Sequence, residues 1–193
     1  NVRILGAGWR STILQDPGGV GHFILDVATD KSYSFTEICH MALVGNGTTG
    51  GGLQSERVSG TGQHGLHYLH DLYLTAFQDC IRLYAPMRVD VERVYINTCA
   101  RYAIDFDGAS WASSPADFSF RNIRIISAGS HGFYGHDGVG SFTLDNVLAE
   151  SCGGKGIALI GLNVAAGESL LQGIDLINVN AESNTEEDIY LER

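Results

Sequence analysis

Two aspartates separated by one residue stand out in the run Ile104-Asp105-Phe106-Asp107. Alternation along an extended strand sends Ile104 and Phe106 to one side and both carboxylates to the other, their Cα atoms ~6.6 Å apart at ~3.3 Å rise per residue. Carboxyl groups ~6.5–9.5 Å apart suit an inverting glycosidase, where one protonates the leaving oxygen and the other activates a water. The acid of such a pair keeps its proton because a like-charged neighbour disfavours a second ionisation. An offset of 29 residues brings the run Phe133-Tyr134-Gly135-His136-Asp137 alongside, with Tyr134 beside Asp105, His136 beside Asp107, and Asp137 at the strand end. Tyr102 and His131 share a further column, with Lys155 next and Arg101 adjacent. Trp111 falls in the loop 107–117, where its face is available to stack on a sugar ring or to fold back over the coil wall. The expected catalytic residues are Asp105, Asp107 and His136, the last tuning the pair. The expected substrate-binding residues are Tyr134, Trp111, His131, Asp137, Arg101 and Lys155. The competing reading is a wall of solvated aspartates near turns, since a fold does not dictate a function. No metal site is assigned: His64, His67, His70 and Asp71 are close in sequence, but a strand points His67 and His70 to opposite faces.

The elements that would hold these groups repeat. Arg93-Val94-Tyr95-Ile96-Asn97-Thr98-Cys99 followed by Ile104-Asp105-Phe106 returns at an offset of 53 as Asn146-Val147-Leu148-Ala149-Glu150-Ser151-Cys152 followed by Ile157-Ala158-Leu159. Ile123-Arg124-Ile125 lies between them, Val179-Asn180-Ala181 after them, and Leu72-Tyr73-Leu74 before them, with one residue of slip at its second strand, Ile81-Arg82-Leu83. Units of short period-2 strands bury their inward residues only against the units above and below, which is the logic of a solenoid. Leu72, Val94, Ile123, Val147 and Val179 should form one inward column. Phe77, Cys99, Ala128, Cys152 and Asn184 should form another. Three segments are expected to bulge out as loops: the Gly-rich stretch 45–65, residues 107–117, and the apolar stretch 160–172. The Gly-rich stretch lacks the Gly-Lys-Ser/Thr ending and following helix of a phosphate loop.

These rungs, with the opening Asn1-Val2-Arg3-Ile4-Leu5-Gly6-Ala7-Gly8-Trp9-Arg10-Ser11-Thr12-Ile13-Leu14 and Met41-Ala42-Leu43-Val44-Gly45-Asn46-Gly47, resemble the right-handed parallel β-helix proteins of the pectate-lyase-like group, which includes polysaccharide lyases, polygalacturonases and bacteriophage tailspikes. The resemblance implies an all-β, single-stranded, right-handed parallel β-helix of roughly six to seven rungs; the capping segment that precedes the early rung in relatives is absent here and the sequence stops within a strand, so both ends are expected to be uncapped. It also implies a polysaccharide partner, an extracellular or virion-associated setting, and a homo-oligomer, with a trimer favoured. Polygalacturonases use outward aspartates, but their Asn-Thr-Asp, Gly-His-Gly and Arg-Ile-Lys signatures are absent. A lyase would use Asp105, Asp107 and Asp137 as calcium ligands with Arg101 or Lys155 as base; hydrolysis needs no cofactor. A non-catalytic structural or glycan-binding segment is the third alternative.

Residues 1–193 read as a single β-helix domain, a fragment of a longer chain, because one pattern runs throughout and the sequence stops within a strand. The net charge of −10 argues against nucleic acid and anionic membranes as partners. No apolar run is long enough for membrane insertion as a helix. The four cysteines read as buried structural thiols. Cys99 and Cys152, two rungs apart at ~4.8 Å per rung, are beyond disulfide reach. Outward Tyr73, Tyr95, Arg124 and Leu148 form a column that reads as a packing surface.

Overall fold

The computed structural model describes residues 2–16, 23–29, 35–47, 50–57, 64–84, 86–107, 118–137, 140–163, 168–169 and 172–192. Strands alternate along the chain between two parallel sheets. The main path of the nine-stranded sheet runs through Val2–Leu5, Phe35–Val44, His64–Phe77, Pro86–Cys99, Phe118–Ala128, Gly140–Glu150 and Gln172–Ile177. The seven-stranded sheet stacks Phe23–Thr29, Gly51–Arg57, Asp79–Tyr84, Ile104–Asp107, Phe133–His136, Ile157–Ile160 and Ile189–Glu192. Each circuit adds one strand to each sheet, except that the first and last circuits give the larger sheet two, Val2–Leu5 with Ile13–Gln15 and Gln172–Ile177 with Asn180–Glu182, so the chain is an all-β parallel solenoid and not a closed barrel.

The register follows the repeat offsets. Leu72 pairs with Val94, Val94 with Ile123, and Ile123 with Val147, all four buried. The lumen is filled by side chains stacked like on like, a geometry that only in-register pairing provides. Phe106, Phe118, Phe120, Phe133 and Phe142 form its aromatic centre, with the Phe120 and Phe142 rings stacked 5.3 Å apart and Phe133 edge-on to Phe120 at 4.8 Å.

The corners depart from the two-strand rung that the repeat suggests. The long strands of the nine-stranded sheet bend mid-course at single residues with positive φ: His40 (58°), Asp71 (54°), Arg93 (54°), Asn122 (56°) and Asn146 (55°), and Asn178 (50°) takes the same conformation between the strands Gln172–Ile177 and Asn180–Glu182. One left-handed residue turns the chain without breaking the ladder, so a strand such as His64–Phe77 covers two walls in succession. Such a conformation costs a non-glycine residue roughly 1–2 kcal/mol, and side-chain bonding along the column offsets part of it, as in the 2.7 Å bond from Asn146 Nδ2 to Asn122 Oδ1. A second left-handed column, Ala76, Thr98, Ser127, Ser151 and Ser183, marks the exit from the same sheet.

The Gly-rich stretch is not wholly a loop. Gly51–Arg57 is a strand of the seven-stranded sheet, and residues 50–55 are buried. Glycine is needed there for close approach: a Cβ on Gly51 would lie 1.9 Å from the Phe23 ring and one on Gly52 2.6 Å from the Cys80 carbonyl oxygen. Strand propensity missed this segment because packing, not side-chain preference, sets it. Residues 108–117, Trp111 among them, lie outside the described residues. Within 160–172, Leu162–Asn163 and Glu168–Ser169 form a short antiparallel pair. No helix among the described residues is long and apolar enough to cross a membrane.

Candidate functional site

The outer face of the seven-stranded sheet carries the predicted cluster. Arg82, Asp105 and Tyr134 stand in one outward column; Tyr84, Asp107 and His136 stand in the next. Pairing alone puts His136 opposite Asp107, but the ring reaches diagonally. His136 Nε2 lies 3.0 Å from Asp105 Oδ1, and Nδ1 lies 2.6 Å from Asp137 Oδ2. Asp137 bends back onto its neighbour because its backbone is left-handed, with φ 56°, a region that aspartate tolerates better than most residues.

Both ring nitrogens of His136 therefore face carboxylate oxygens, which only accept, so both donate and the ring is an imidazolium. Burial opposes that charge, but the hydrogen bonds to Asp105 and Asp137 and the charges of Asp107 and Asp105 outweigh it and lift the pKa to about 9. The ring expected to tune the aspartate pair thus sits between Asp105 and Asp137 with a proton of its own to donate. Asp105 points outward as expected yet its side chain is only 7% exposed, covered by its neighbours, with Arg82 Nε 3.6 Å from Oδ2. Arg82 was overlooked in the sequence because of the one-residue slip in its repeat, which in register places it beside Asp105.

The aromatic residues assemble beside this group. Tyr134 stacks on His136 at 4.5 Å and on Tyr102 at 5.0 Å, while His131 lies 5.8 Å from Tyr102 and 5.0 Å from Tyr134. Burial, then the Lys155 charge, lower the His131 pKa. Its Nδ1 accepts the Lys155 backbone N–H at 2.9 Å, which leaves the ring proton on Nε2. Burial raises the Tyr134 phenol. A Cβ on Gly154 would come within 2.7 Å of the His131 ring, so glycine lets the ring lie flat against the turn.

The two cations named in the sequence are already engaged. Arg101 grips Asp79 through Nε at 2.8 Å and through Nη2, and it lies 4.9 Å over the Tyr102 ring. Lys155 Nζ contacts Glu186 at 2.7 Å and Glu187 at 3.1 Å, with the Tyr190 ring 4.7 Å below. Hydrogen bonding to Glu186 and Glu187 raises the Lys155 pKa, which keeps it charged and unsuited to serve as a resting base. The calcium site that a lyase would need does not fit these residues. Calcium takes six to eight oxygen ligands, whereas the His136 ring bridges Asp105 and Asp137. Asp107, His136 and Asp137 do offer ligand atoms within 4.8 Å of one another, but His136 contributes nitrogen where calcium takes oxygen.

Elsewhere the structure distributes the remaining candidates. His67 is buried, with Nε2 2.9 Å from Ser55 Oγ, while His70 points to the outside of the same strand, between Asp71 and Glu37. All four cysteines are free and buried. Cys80, Cys99 and Cys152 belong to the lumen core, but Cys39 pairs in register with His70 on the outer wall. The outward column forms as read, with Tyr73 and Tyr95 5.4 Å apart, Trp9 5.5 Å from Tyr73, and Arg124 5.7 Å over Tyr95. Compared with known proteins, the chain matches no family model, no curated protein and no solved structure.

Proposed function

We propose that this chain is a polysaccharide-processing β-helix of the pectate-lyase-like group, acting by hydrolysis on a glycan laid across the rungs of the seven-stranded sheet. The observation that carries this reading is the outward carboxylate–imidazolium–carboxylate array Asp105–His136–Asp137 beside the Tyr102, His131 and Tyr134 rings. His136 donates its proton to the leaving glycosidic oxygen, after the substrate displaces the exposed Asp137 carboxylate. Asp107 takes a proton from the attacking water, and Asp105 holds the imidazolium in place. Asp107 then releases its proton to solvent and His136 regains one from solvent, which balances the cycle. Tyr134 and Trp111 position the sugar. In this reading the protein works outside the cell or on a virion and assembles as a homo-oligomer, a trimer being favoured, through the Tyr73, Tyr95 and Leu148 face. Reducing-end release across a panel of bacterial capsules and plant glycans tests it: turnover of one polysaccharide, abolished in His136→Gln, is expected, and no turnover on any member counts against it.

A second reading, a structural or glycan-binding segment without catalysis, is favoured by one observation. The Asp105 side chain is buried and paired, leaving little carboxylate surface for a substrate. Glycan binding without turnover would select it.

A further inference from the structure

The nine-stranded sheet carries a separate cluster at the corner where its strands bend. Cys39 is 1% exposed, yet it does not belong to the lumen cluster that holds the other three cysteines. Its outward column continues through His70, Glu92, Arg121 and Asp145, all polar. Core packing therefore does not account for a thiol at this position. His40, the left-handed corner residue, turns its ring back so that the centroids of His40 and His70 lie 5.1 Å apart, edge to face. One ligand atom from each of Cys39, His40 and His70 lies within 4.8 Å of the others.

The geometry points to a zinc-type metal site formed by Cys39, His40 and His70. Tetrahedral zinc with bonds of ~2.0–2.3 Å places its ligand atoms ~3.3–3.8 Å apart, so modest side-chain rotation closes the cluster. Thiolate and imidazole ligands select a borderline or soft transition metal over calcium or magnesium. His70 is prepared for the role. Its Nδ1 is 2.7 Å from Asp71 Oδ2, and Asp71 is itself fixed by Arg93 Nε and Nη2 at 2.7 and 2.9 Å. A carboxylate holding one ring nitrogen orients the other toward a metal. That other nitrogen, Nε2, lies 3.3 Å from Glu37 Oε1, and the ion takes the place of a proton there, since metal binding releases ligand protons. Cys39 and His40 belong to one rung and His70 to the next, so the ion clamps two successive turns of the solenoid. A thiolate ligand at a position only 1% exposed gives the site a structural character.

The site is independent of the glycan reading, and its test is independent of turnover. The reduced, metal-stripped protein is titrated with Co2+ and then Zn2+. Expected are one equivalent bound, tetrahedral d–d bands with a thiolate-to-cobalt charge-transfer band, and displacement of cobalt by zinc. Cys39→Ser should remove the charge-transfer band, and Asp71→Asn should weaken Zn2+ binding ~10–100-fold as the loss of an orienting partner. His40→Ala, an exposed position that keeps the fold testable, should weaken Zn2+ binding at least as much. His136→Gln should change neither spectrum nor affinity. A cobalt spectrum with no thiolate band, or metal binding unaltered by both Cys39→Ser and His40→Ala, overturns the assignment.

Discussion

Two histidines in this molecule sit between carboxylates on outer walls, and they are built differently. His136 lies between Asp105 and Asp137; His70 lies between Glu37 and Asp71. At His70 guanidinium groups supply positive charge to both carboxylates, Arg93 to Asp71 and Arg3 Nε to Glu37 at 2.5 Å. At His136 the nearest guanidinium, Arg82, is 3.6 Å from Asp105, and the ring itself carries the compensating charge. Permanent cations fix the first arrangement irrespective of the imidazole proton. In the second, that proton holds the carboxylates together. The same three-residue pattern thus yields a scaffold in one place and a proton holder in the other, decided by whether arginine stands within hydrogen-bonding reach.

The comparison breaks most visibly in turnover. His136→Gln should lower the rate of reducing-end release by about 10²–10⁴-fold, the usual contribution of a positioned acid, while His70→Gln should leave it within about twofold. Equal losses in both variants would mean the walls do not differ in function. In stability the order should invert. Asp71→Ala strands Arg93 and frees His70, which should cost ~2 kcal/mol after allowing for partial exposure, read as a lowered urea midpoint. Asp137→Ala, at an exposed carboxylate, should cost less than half as much.

The pH response separates the walls by sign. The His136 pKa is raised above its unfolded value, to about 9, so its stabilisation is complete below about pH 6.5 and is lost as pH rises through about 9. Asp71 is held low, chiefly by its bonds to Arg93 despite opposing desolvation, and Glu37 is held low by its bonds to Arg3 and His70. Their stabilisation is present above the ordinary carboxylate range, about pH 4, and is lost as pH falls below it. Melting temperatures across this range should show an alkaline decline that flattens in His136→Gln and an acid decline that flattens in Asp71→Asn. An alkaline limb unchanged by His136→Gln would refute the charged ring. An effect confined to stability should come from Asn146→Ala, in the corner column away from either histidine. Losing the bond to Asn122 and the tolerance of asparagine for a left-handed backbone should cost ~1 kcal/mol, with both pH limbs retained.

The stacking columns were legible because pairing in register translates directly into constant sequence offsets, as Val94, Ile123 and Val147 demonstrate. Which side of the strand Asp105, Asp107, Tyr134 and His136 occupy was legible for the same reason. The corners were not, since His40, Asp71, Arg93 and Asn122 have no common side-chain chemistry and share only a backbone conformation. Nor was the diagonal reach of His136 to Asp105, which depends on a rotamer and not on register. Cys39 and His40 could have been placed beside His70 by extending the repeat to Met41-Ala42-Leu43, which pairs with Leu72-Tyr73-Leu74. Strand Gly51–Arg57 was hidden by composition, because its glycines reflect crowding by Phe23 and Cys80.

Uniform parallel pairing also fixes how the molecule bears force. Backbone hydrogen bonds between rungs run along the solenoid axis, so tension applied along that axis loads the inter-rung ladders in series, and the weakest ladder parts first. Tension applied along the strands of one rung instead shears all bonds of a long ladder together. His64–Phe77 is registered with Pro86–Cys99 over nearly its whole length. A chain built this way should peel under axial pulling and resist sideways shear, and the middle rungs should be the last to yield.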